Sequence, residues 1–265
     1  MNTLDLFSLK GKTALITGGR IMYGKSCSIA LVDAGAKLFL ASHSVEAAQD
    51  TAQELRERGG EVVVVPFHQE DPESIRQLVA QVVQQAGAID VFVNASRVIP
   101  KGGVGWFQEE AALEWSVRVN SAGMIYLNKL VGDQMIRQKS GSIINIGSMM
   151  GLVGVEKHNY DGEPGMAAGA YGHDYSLNKS GLLAWTRHAA SYYGQYGIRV
   201  NSLCPGGLKS DRTPPLFSEN YAKHTQLGRL ANNDDIKGPL LFLASDASAY
   251  LTGLSIPVDG GYTNI

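Results

Sequence analysis

Short apolar runs alternate with longer amphipathic stretches from residue 12 to residue 258, and this alternation constrains the fold more than any other feature. The short runs are rich in β-branched residues and too short for helices, so we predict strands there and helices in the longer stretches. Strands that alternate with helices form βαβ units, whose strands lie parallel in one sheet with helices on both faces. The sequence therefore predicts an α/β fold built on a doubly wound, mostly parallel sheet of seven strands.

Local signals set the ends of several elements. Gly35 and Gly59 follow helical stretches as C-caps, and Asp71 with Pro72 opens a helix as N-cap and first-turn proline. Residues 62–65 are four consecutive valines, as expected of a strand covered on both faces, so this strand is predicted to be central in the sheet. The predicted strands are residues 13–17, 37–41, 61–67, 91–94, 142–147, 198–203 and 255–258.

Composition narrows the function class. Hydrophobic residues make up 44% of the chain and charged residues 18%, which predicts a compact globule, and no linker or repeat divides residues 1–265, so a single domain is expected. With 23 Lys and Arg against 25 Asp and Glu, and no basic stripe, no nucleic-acid partner is expected. The sequence has neither a signal peptide nor an apolar run of about 18 residues, so no membrane association is expected. Two cysteines, and histidines without metal-ligand spacing, predict a cytoplasmic protein without a metal site.

A glycine-rich turn follows the first predicted strand. Residues 17–24 read Thr-Gly-Gly-Arg-Ile-Met-Tyr-Gly and lead into a helix predicted to begin near Lys25. Glycines in such a turn let backbone N–H groups approach a pyrophosphate at the helix N-terminus. Taken alone the signal is weak, because the same glycines also serve tight packing. The turn is a candidate dinucleotide site.

Tyr175 and Lys179 lie four residues apart in a predicted helix, one above the other on the same face. A phenol ordinarily titrates near pH 10, so a tyrosine that exchanges protons near neutral pH needs roughly 4 kcal/mol of preference for its phenolate form. One lysine ammonium at about 5 Å supplies roughly 3.3 kcal/mol at an effective dielectric constant of about 20. The pair is therefore a candidate proton-transfer site, although the spacing alone is common by chance.

The chain resembles the short-chain dehydrogenase/reductase family over nearly its whole length. The resemblance rests on residues 17–24, on the Tyr-x-x-x-Lys pair, and on four further segments: residues 119–123 (Val-Asn-Ser-Ala-Gly), 145–151 (Asn-Ile-Gly-Ser-Met-Met-Gly), 200–207 and 257–262. It implies a Rossmann-type fold with one NAD(P)-binding domain, and an oxidoreductase that interconverts a secondary alcohol and a ketone. It also implies a small-molecule substrate and a homotetramer or homodimer.

The resemblance also implies four catalytic residues. In the family's mechanism Tyr175 exchanges the proton with the substrate oxygen, and Ser148 orients that oxygen by a hydrogen bond. Lys179 holds the nicotinamide ribose, and Asn120 supports a water that links Lys179 to solvent. The catalytic set is Asn120, Ser148, Tyr175 and Lys179.

Several positions depart from the family pattern. Met22 stands where the family has the middle glycine of the turn, so either φ is negative there or the pyrophosphate is held slightly away. His68 replaces an aspartate that contacts adenine, and residues 94–97 read Asn-Ala-Ser-Arg instead of Asn-Asn-Ala-Gly. The nucleotide is therefore expected to bind through altered contacts.

The end of the second strand favours NADP over NAD. Residues 40–44 contain no acid that would hold the ribose 2′-OH of NAD, and Arg20 is available to a 2′-phosphate. By resemblance, Leu208 and Ser210 touch the nicotinamide amide. The predicted cofactor-binding residues are Thr17, Gly18, Arg20, Met22, Gly24, Ser42, His43, His68, Asn94, Tyr175, Lys179, Pro205, Gly206, Leu208 and Ser210.

Two loops are expected to shape the substrate pocket. Tyr175 lies 27 positions after Ser148, where the family has roughly a dozen, so residues 152–170 are predicted to be an inserted loop and residues 208–227 a lid. The insert is dense in hydrogen-bonding groups, which favours a sugar, polyol or sugar acid as substrate. Asp174, beside Tyr175, is expected to start its helix. The predicted substrate-binding residues are Arg97, Ser148, Lys157, His158 and Tyr175.

Two alternative functions remain at this point. Among enzymes, the alternative is a 3-oxoacyl carrier-protein reductase. In another class, the departures at Met22, His68 and Ala95 would suit a protein of the same fold that binds nucleotide as a sensor or scaffold without catalysis. The complete catalytic set favours the enzyme.

Overall fold

The computed structural model describes residues 2–101, 105–163, 165 and 172–264. The strands in these residues are β1 (Thr13–Thr17), β2 (Lys37–Ser42), β3 (Val62–Pro66), β4 (Val91–Asn94), β5 (Gly141–Ile146), β6 (Ile198–Pro205) and β7 (Ser255–Val258). They form one sheet in the order β3-β2-β1-β4-β5-β6-β7, and every neighbouring pair is parallel. The predicted Rossmann-type, doubly wound α/β class is confirmed.

All seven predicted strands are present, with ends within two residues of the prediction. The prediction that residues 62–65 form a central strand is wrong, because β3 lies at the edge of the sheet. Val63 packs against the hydrophobic core on one face of the sheet and Val64 against the core on the other. An unbroken apolar run therefore reports that helices cover both faces of a strand, and it does not report how many strands flank it.

The helices follow the predicted alternation. The α-helices are α1 (Met22–Asp33), α2 (Val45–Glu57), α3 (Pro72–Ala86), α4 (Glu110–Val117), α5 (Met124–Gln138), α6 (His173–Tyr193), α7 (Pro215–Lys223) and α8 (Lys237–Ala244), and a π-helical segment, Arg118–Gly123, joins α4 to α5. Short 3₁₀ helices cover Thr3–Phe7, Gly105–Phe107, Met149–Gly151, Lys157–Tyr160, Gly194–Tyr196, Asp246–Ser248 and Tyr262–Asn264.

The predicted helix ends are present. The Asp71 carboxylate accepts a hydrogen bond from the Glu73 backbone N–H at the start of α3, and Pro72 occupies the first position of that helix. Gly35 and Gly59 follow α1 and α2 with φ of +92° and +91°, the left-handed conformation that ends a helix without strain at glycine.

Helices cover both faces of the sheet. One core holds Leu31 of α1, Ala52 of α2 and Leu240 of α8, all fully or almost fully buried. The core on the opposite face holds Leu78 of α3 and Leu127 of α5, together with residues of α6. The chain therefore forms three layers, with the sheet in the middle.

The sheet has one point at which the strand order reverses. β1 and β4 are neighbours, and the helices that follow them pack on opposite faces. The carboxyl ends of β1 and β4 therefore border a crevice. Open α/β sheets bind their ligands in the crevice at this position. The glycine-rich turn and the loop after β4 both lie at this crevice.

The described part of the chain contains no helix that is both long and apolar enough to cross a membrane.

Candidate active site

Two glycines shape the turn after β1. Gly18 has φ of +70°, and a Cβ atom there would lie 2.6 Å from the carbonyl carbon of Ala95 in the loop after β4. A Cβ atom on Gly24 would overlap the Gly18 carbonyl oxygen. Both positions therefore require glycine, and the turn lies tightly against the carboxyl ends of β1 and β4.

Met22 has a left-handed backbone conformation, with φ of +52°. The alternative of a negative φ at this residue is wrong, and α1 begins here, three residues earlier than predicted. A left-handed backbone costs a non-glycine residue about 1–3 kcal/mol, so the turn holds strain. The Met22 side chain is 50% exposed, so burial of its apolar surface does little to offset that strain.

The N-terminus of α1 offers backbone N–H groups to a ligand. Its N-cap residue, Ile21, makes no side-chain capping hydrogen bond, and the first backbone bond of the helix runs from the Lys25 N–H to the Ile21 carbonyl. The N–H groups of the first turn are therefore available, as they are in helices that bind phosphate. These residues fit the pyrophosphate of a dinucleotide.

The end of β2 lacks a carboxylate that would contact the ribose. The Ser42 hydroxyl donates to the Ser44 carbonyl oxygen at 3.1 Å, and the His43 side chain is exposed. On the glycine turn, the Arg20 carbonyl accepts a hydrogen bond from Thr51 at 3.5 Å, and the Arg20 guanidinium has no partner among the residues that the structure describes. A guanidinium without a protein partner is available to bind a phosphate.

Thr17 and Asn94 tie strand ends together. The Thr17 hydroxyl donates to Asn94 Oδ1 at 3.3 Å, and Asn94 Nδ2 donates to Asn145 Oδ1 at 3.4 Å. Asn145 Nδ2 continues the series to Thr186 Oγ1 of α6 at 3.0 Å. All four side chains are buried. The two predicted cofactor residues therefore fix the carboxyl ends of β1, β4 and β5 beneath the crevice.

The predicted adenine-side residue is exposed, and its neighbour makes the buried contacts. His68 points its ring at Glu70, with 3.3 Å between Nδ1 and Oε1. Gln69 is buried, donates to the Val119 carbonyl at 3.0 Å and accepts a hydrogen bond from the Ser96 hydroxyl. Gln69 therefore holds the loop after β4, a role that the sequence analysis missed.

Two tyrosines missed by the sequence analysis hold the segment after β6. The Tyr23 hydroxyl, from the glycine turn, donates to the Gly206 carbonyl at 3.1 Å, and burial raises the pKa of Tyr23. The Gly207 N–H donates to the Tyr221 hydroxyl at 2.7 Å. Pro205 ends β6, Leu208 forms a single β-bridge with Ala231, and Ser210 is exposed. The hydrogen bond from Tyr23 therefore joins the glycine turn to the segment after β6.

Lys179 is buried beneath the candidate catalytic tyrosine. Its ammonium donates to the Ile146 carbonyl at the end of β5 at 2.7 Å, and its Nζ lies 5.9 Å from the centre of the Tyr175 ring. Burial, with a smaller contribution from the positive charge of Arg97, lowers the pKa of Lys179 to about 8. The structure therefore brings together a phenol and an ammonium, as predicted from the spacing of the pair.

Ser148 follows β5 and is buried. Its backbone N–H hydrogen-bonds the Cys204 sulfur at the end of β6, and its hydroxyl accepts a hydrogen bond from the Met150 N–H at 3.2 Å. Ile146, the partner of Lys179, lies two residues before Ser148. The end of β5 therefore fixes both Ser148 and the lysine ammonium.

Asn120 holds the loop after β4. It lies in the π-helical segment, where its Oδ1 accepts from the Val98 N–H at 2.8 Å and its Nδ2 donates to the Val98 carbonyl at 2.7 Å. A cavity of about 10 Å³ lies among Asn120, Tyr175 and Lys179, with Arg97 in its lining. This volume is close to the space that a single water needs.

The structure brings one of the predicted substrate cations to the tyrosine. The Arg97 guanidinium carbon lies 4.5 Å from the centre of the Tyr175 ring. Lys157 and His158 lie exposed on a 3₁₀ helix, and His158 Nδ1 pairs with Glu156 Oε1 at 2.5 Å. None of the described contacts joins these two residues to Arg97 or Tyr175.

The insert and the lid pack against each other. Of the predicted insert, residues 164 and 166–170 lie outside the described residues. The Tyr160 ring lies 5.3 Å from Phe217 of α7, and Asn220 donates to the Asp161 carbonyl at 3.3 Å. The row continues from Phe217 to Tyr221 at 5.7 Å and from Tyr221 to Tyr262 at 4.9 Å. We call these four rings the aromatic row. The sequence analysis did not foresee it.

Among the described residues, no group of three or more His, Cys, Asp or Glu side chains is arranged to hold a metal ion.

Met22→Gly is expected to stabilise the protein by about 1 kcal/mol, because the left-handed conformation costs glycine nothing. This value is the gain that is left after the entropy that glycine adds to the unfolded chain is subtracted. Urea unfolding at constant pH measures the effect. Met22→Ala is the matched control and should give no gain. Lys139→Gly, at the other non-glycine residue with positive φ among the described residues, should show a similar gain. No stabilisation by Met22→Gly would contradict strain at this turn.

Lys179→Met is expected to raise the free energy of unfolding near pH 7, while removing the ammonium. Wild-type Lys179 titrates near 8 when folded and near 10.4 when unfolded, so the unfolded chain binds more protons between these values. The cost of the buried ammonium is therefore fully present below pH 8, amounts to roughly 3 kcal/mol, and disappears as the pH rises above 10.

The measurement is urea unfolding of both proteins at pH 7 and pH 10. The advantage of the variant over wild type should shrink by most of this amount between the two pH values. Lys223→Met, on an exposed lysine of α7, serves as the control. A difference between Lys179→Met and wild type that does not change with pH would show that burial does not penalise the ammonium.

Comparison with known proteins agrees with this geometry. A family model described as enoyl-(acyl carrier protein) reductase matches residues 23–263. L-rhamnose 1-dehydrogenase (NAD(P)(+)) of Sphingomonas sp. (strain SKA58) is 31% identical, and the match covers 97% of this chain and 98% of that one. The 3-oxoacyl-[acyl-carrier-protein] reductase of Thermotoga maritima is 30% identical, with 96% and 98% covered.

Solved structures give the same result. A gluconate 5-dehydrogenase from Burkholderia cenocepacia J2315, in complex with NADP and tartrate, superimposes with a TM-score of 0.87 at 28% identity, and the match covers 100% of both chains. Because the family model and the relatives match nearly the whole chain, the protein belongs to the short-chain dehydrogenase/reductase family and is an oxidoreductase that acts on CH–OH groups.

Proposed function

We propose that this protein is an NADP-dependent enzyme that interconverts a secondary alcohol and a ketone on a small polar substrate, with a sugar, polyol or sugar acid favoured. The observation that carries the proposal is that two cations, Lys179 and Arg97, lie close to the Tyr175 ring. Lys179 supplies the charge that proton transfer requires, and Arg97 makes the surroundings of the reacting group polar.

In the proposed reaction Tyr175 exchanges a proton with the substrate oxygen, and the Ser148 hydroxyl hydrogen-bonds that oxygen. The Lys179 ammonium places a positive charge beside the Tyr175 ring. A bound nicotinamide would supply the hydride acceptor for oxidation of the alcohol and the hydride donor for reduction of the ketone. Oxidation of the alcohol thus gives up one hydride and one proton, and the proton passes to Tyr175. Asn120 contributes by fixing the loop after β4 and by lining the small cavity beside Lys179.

The proposed cofactor site runs from the glycine turn to the end of β6. The uncapped N-terminus of α1 would hold the pyrophosphate, and Arg20 would hold the 2′-phosphate, with Ser42 and His43 beside it. Gly206 and Leu208 would lie at the nicotinamide end. The absence of an acid in residues 40–44 supports NADP over NAD.

The names of similar proteins support a polar substrate. One relative is an L-rhamnose dehydrogenase, and one structural neighbour is a gluconate dehydrogenase that holds tartrate. The alternative, a 3-oxoacyl carrier-protein reductase, is supported by the description of the family model and by the relative in Thermotoga maritima. A charged Arg97 in contact with Tyr175 favours the polar substrate over an acyl chain.

We further propose that residues 1–265 act as one domain, with residues 152–170 and 208–227 covering the substrate, in a cytoplasmic homotetramer or homodimer. Both cysteines are buried and free, which suits a reducing compartment. Exposed rings at Tyr192 and Tyr250 suit contacts between subunits.

Wild-type protein is expected to bind NADPH at least about tenfold more tightly than NADH, since one charge-assisted contact to phosphate contributes on the order of 1.4 kcal/mol. Arg20→Ala should remove most of this preference and leave NADH affinity within twofold, while Arg20→Lys should retain part of it. Nicotinamide fluorescence titration measures both affinities. Equal binding of NADPH by wild type and Arg20→Ala would exclude Arg20 from the phosphate site.

Tyr175→Phe is expected to lower kcat by roughly 10²–10⁴-fold or more, because the proton has no acceptor, and to change the Kd of NADPH less than twofold. The assay follows nicotinamide absorbance with D-gluconate, L-rhamnose and an acetoacetyl thioester as test substrates. Leu177→Ala, at an exposed position of the same helix, is the control. Substantial turnover by Tyr175→Phe would overturn the proton-transfer role, and a clear preference for the thioester would overturn the polar substrate.

A further inference from the structure

Asp174, the residue before Tyr175, carries a buried carboxylate that the proposed reaction does not use. Only 4% of Asp174 is exposed, and it lies in the first turn of α6. The expectation that it starts the helix is met in position, but its carboxylate does not cap the backbone: the N-cap residue is Gly172, without a side-chain bond. A buried carboxylate is costly unless it is paired and hydrogen-bonded. Its partners therefore indicate what it does.

Ser116 of α4 fixes the carboxylate in one orientation. Ser116 Oγ accepts hydrogen bonds from Asn120 Nδ2 at 3.0 Å and from Asn178 Nδ2 at 3.1 Å. A serine hydroxyl has two acceptor sites and one proton, so that proton is left for the Asp174 Oδ2 atom at 2.7 Å. The carboxylate is thus an acceptor held between α4 and α6.

The same Asp174 oxygen faces Arg97. Asp174 Oδ2 lies 3.8 Å from Arg97 Nη2. The backbone beside Arg97 is also fixed, because Asn120 bonds both the N–H and the carbonyl of Val98. Asn120 therefore fixes the backbone next to Arg97, and Asp174 attracts the Arg97 guanidinium as an ion pair.

Arg97 has N–H groups to spare. A guanidinium carries five N–H donors, and the pair with Asp174 is the only polar contact of the Arg97 side chain among the residues that the structure describes. The side chain is 38% exposed, and its guanidinium carbon lies over the Tyr175 ring. A guanidinium with unpaired donors matches the planar, two-oxygen geometry of a carboxylate.

The charges around the tyrosine also favour an anion. Arg97 and Lys179 are positive, and the positive charge of Arg97 contributes to the lowered pKa of Lys179, so the two cations repel each other. Asp174 offsets one charge from a buried position. An anion bound at the exposed side of Arg97 would offset the other.

We propose that Arg97 and Asp174 form an anion subsite beside Tyr175, in which Arg97 binds the carboxylate of a small hydroxy acid and Asp174 is the positioning residue for Arg97. The inference rests on the proposed function, and it narrows the substrate from polar molecules to short hydroxy acids and sugar acids. The other anion within the same chemistry is a phosphate of the cofactor, and the test separates the two.

The test is a set of equilibrium titrations with L-tartrate, D-gluconate and the neutral D-sorbitol, followed by protein fluorescence and thermal stability, with NADPH affinity measured on the same samples. Wild type should bind the two carboxylates at least tenfold more tightly than sorbitol. Arg97→Met should abolish this preference and leave the Kd of NADPH within twofold, and Arg97→Lys should restore part of it. Arg187→Met, which removes an exposed charge from α6, is the matched control and should change nothing.

Asp174→Asn tests the positioning role with almost no change of shape. It should weaken carboxylate binding about three- to tenfold and leave sorbitol binding unchanged, a difference that a general loss of structure would not produce. If Asp174→Asn does not fold, Ser116→Ala makes the same test through the partner of the carboxylate. An Asp174→Asn or Ser116→Ala protein that folds and keeps the full preference overturns the positioning role.

Three results would overturn the subsite itself: no preference for carboxylates in wild type, a preference that survives Arg97→Met, or a loss of NADPH affinity in Arg97→Met, which would assign Arg97 to the cofactor. Failure of wild type to bind NADPH would instead contradict the proposed function. The two failures are therefore distinguishable in one set of samples.

Discussion

The hydrogen bond from the Lys179 ammonium to the Ile146 carbonyl joins the helix that carries Tyr175 to the strand that leads to Ser148. Tyr175 and Ser148 are both placed relative to this junction. Asn145, the neighbour of Ile146, hydrogen-bonds Thr186, which lies two turns after Lys179 on α6, and Asn94 of β4. A continuous series of buried side-chain hydrogen bonds therefore joins β4, β5 and α6. Because these contacts are buried, water does not compete for them, and they fix the spacing of the reacting groups.

Three features of the site lower the stability of the folded protein. Burial of an ammonium lowers the pKa of Lys179, a left-handed backbone strains Met22, and the Asp174 carboxylate is kept away from water. A single substitution would remove each of these features, by an apolar side chain that packs better or by a residue with a more flexible backbone. Their concentration around one crevice, while the two cores on the faces of the sheet are ordinary apolar packing, is typical of a site selected for chemistry.

Local sequence patterns were sufficient for the strands, for caps such as Asp71, and for the pairing of Tyr175 with Lys179, because each depends on residues a few positions apart. Local patterns were not sufficient for the edge position of β3, since a run of four valines is expected in any strand whose two faces are covered by helices, whether it lies at the edge or in the centre. Contacts between segments that are far apart in the chain were also missed, because local patterns depend on residues only a few positions apart. Tyr23 and Gly206 are 183 positions apart, and Ser116 and Asp174 are 58 apart. The conformation of Met22 was also open, because the sequence says which residue is present and the surrounding turn decides its φ.

The aromatic row connects three segments that are far apart in the chain: the insert through Tyr160, the lid through Phe217 and Tyr221, and the segment after β7 through Tyr262. Packing shared in this way is cooperative, because loosening one ring exposes the apolar surface of its neighbours. In the proposed arrangement, in which residues 152–170 and 208–227 cover the substrate, this shared packing would make the two loops open together rather than independently. The rate of turnover would then depend on how often both loops open, even though none of the four rings takes part in the proposed chemistry.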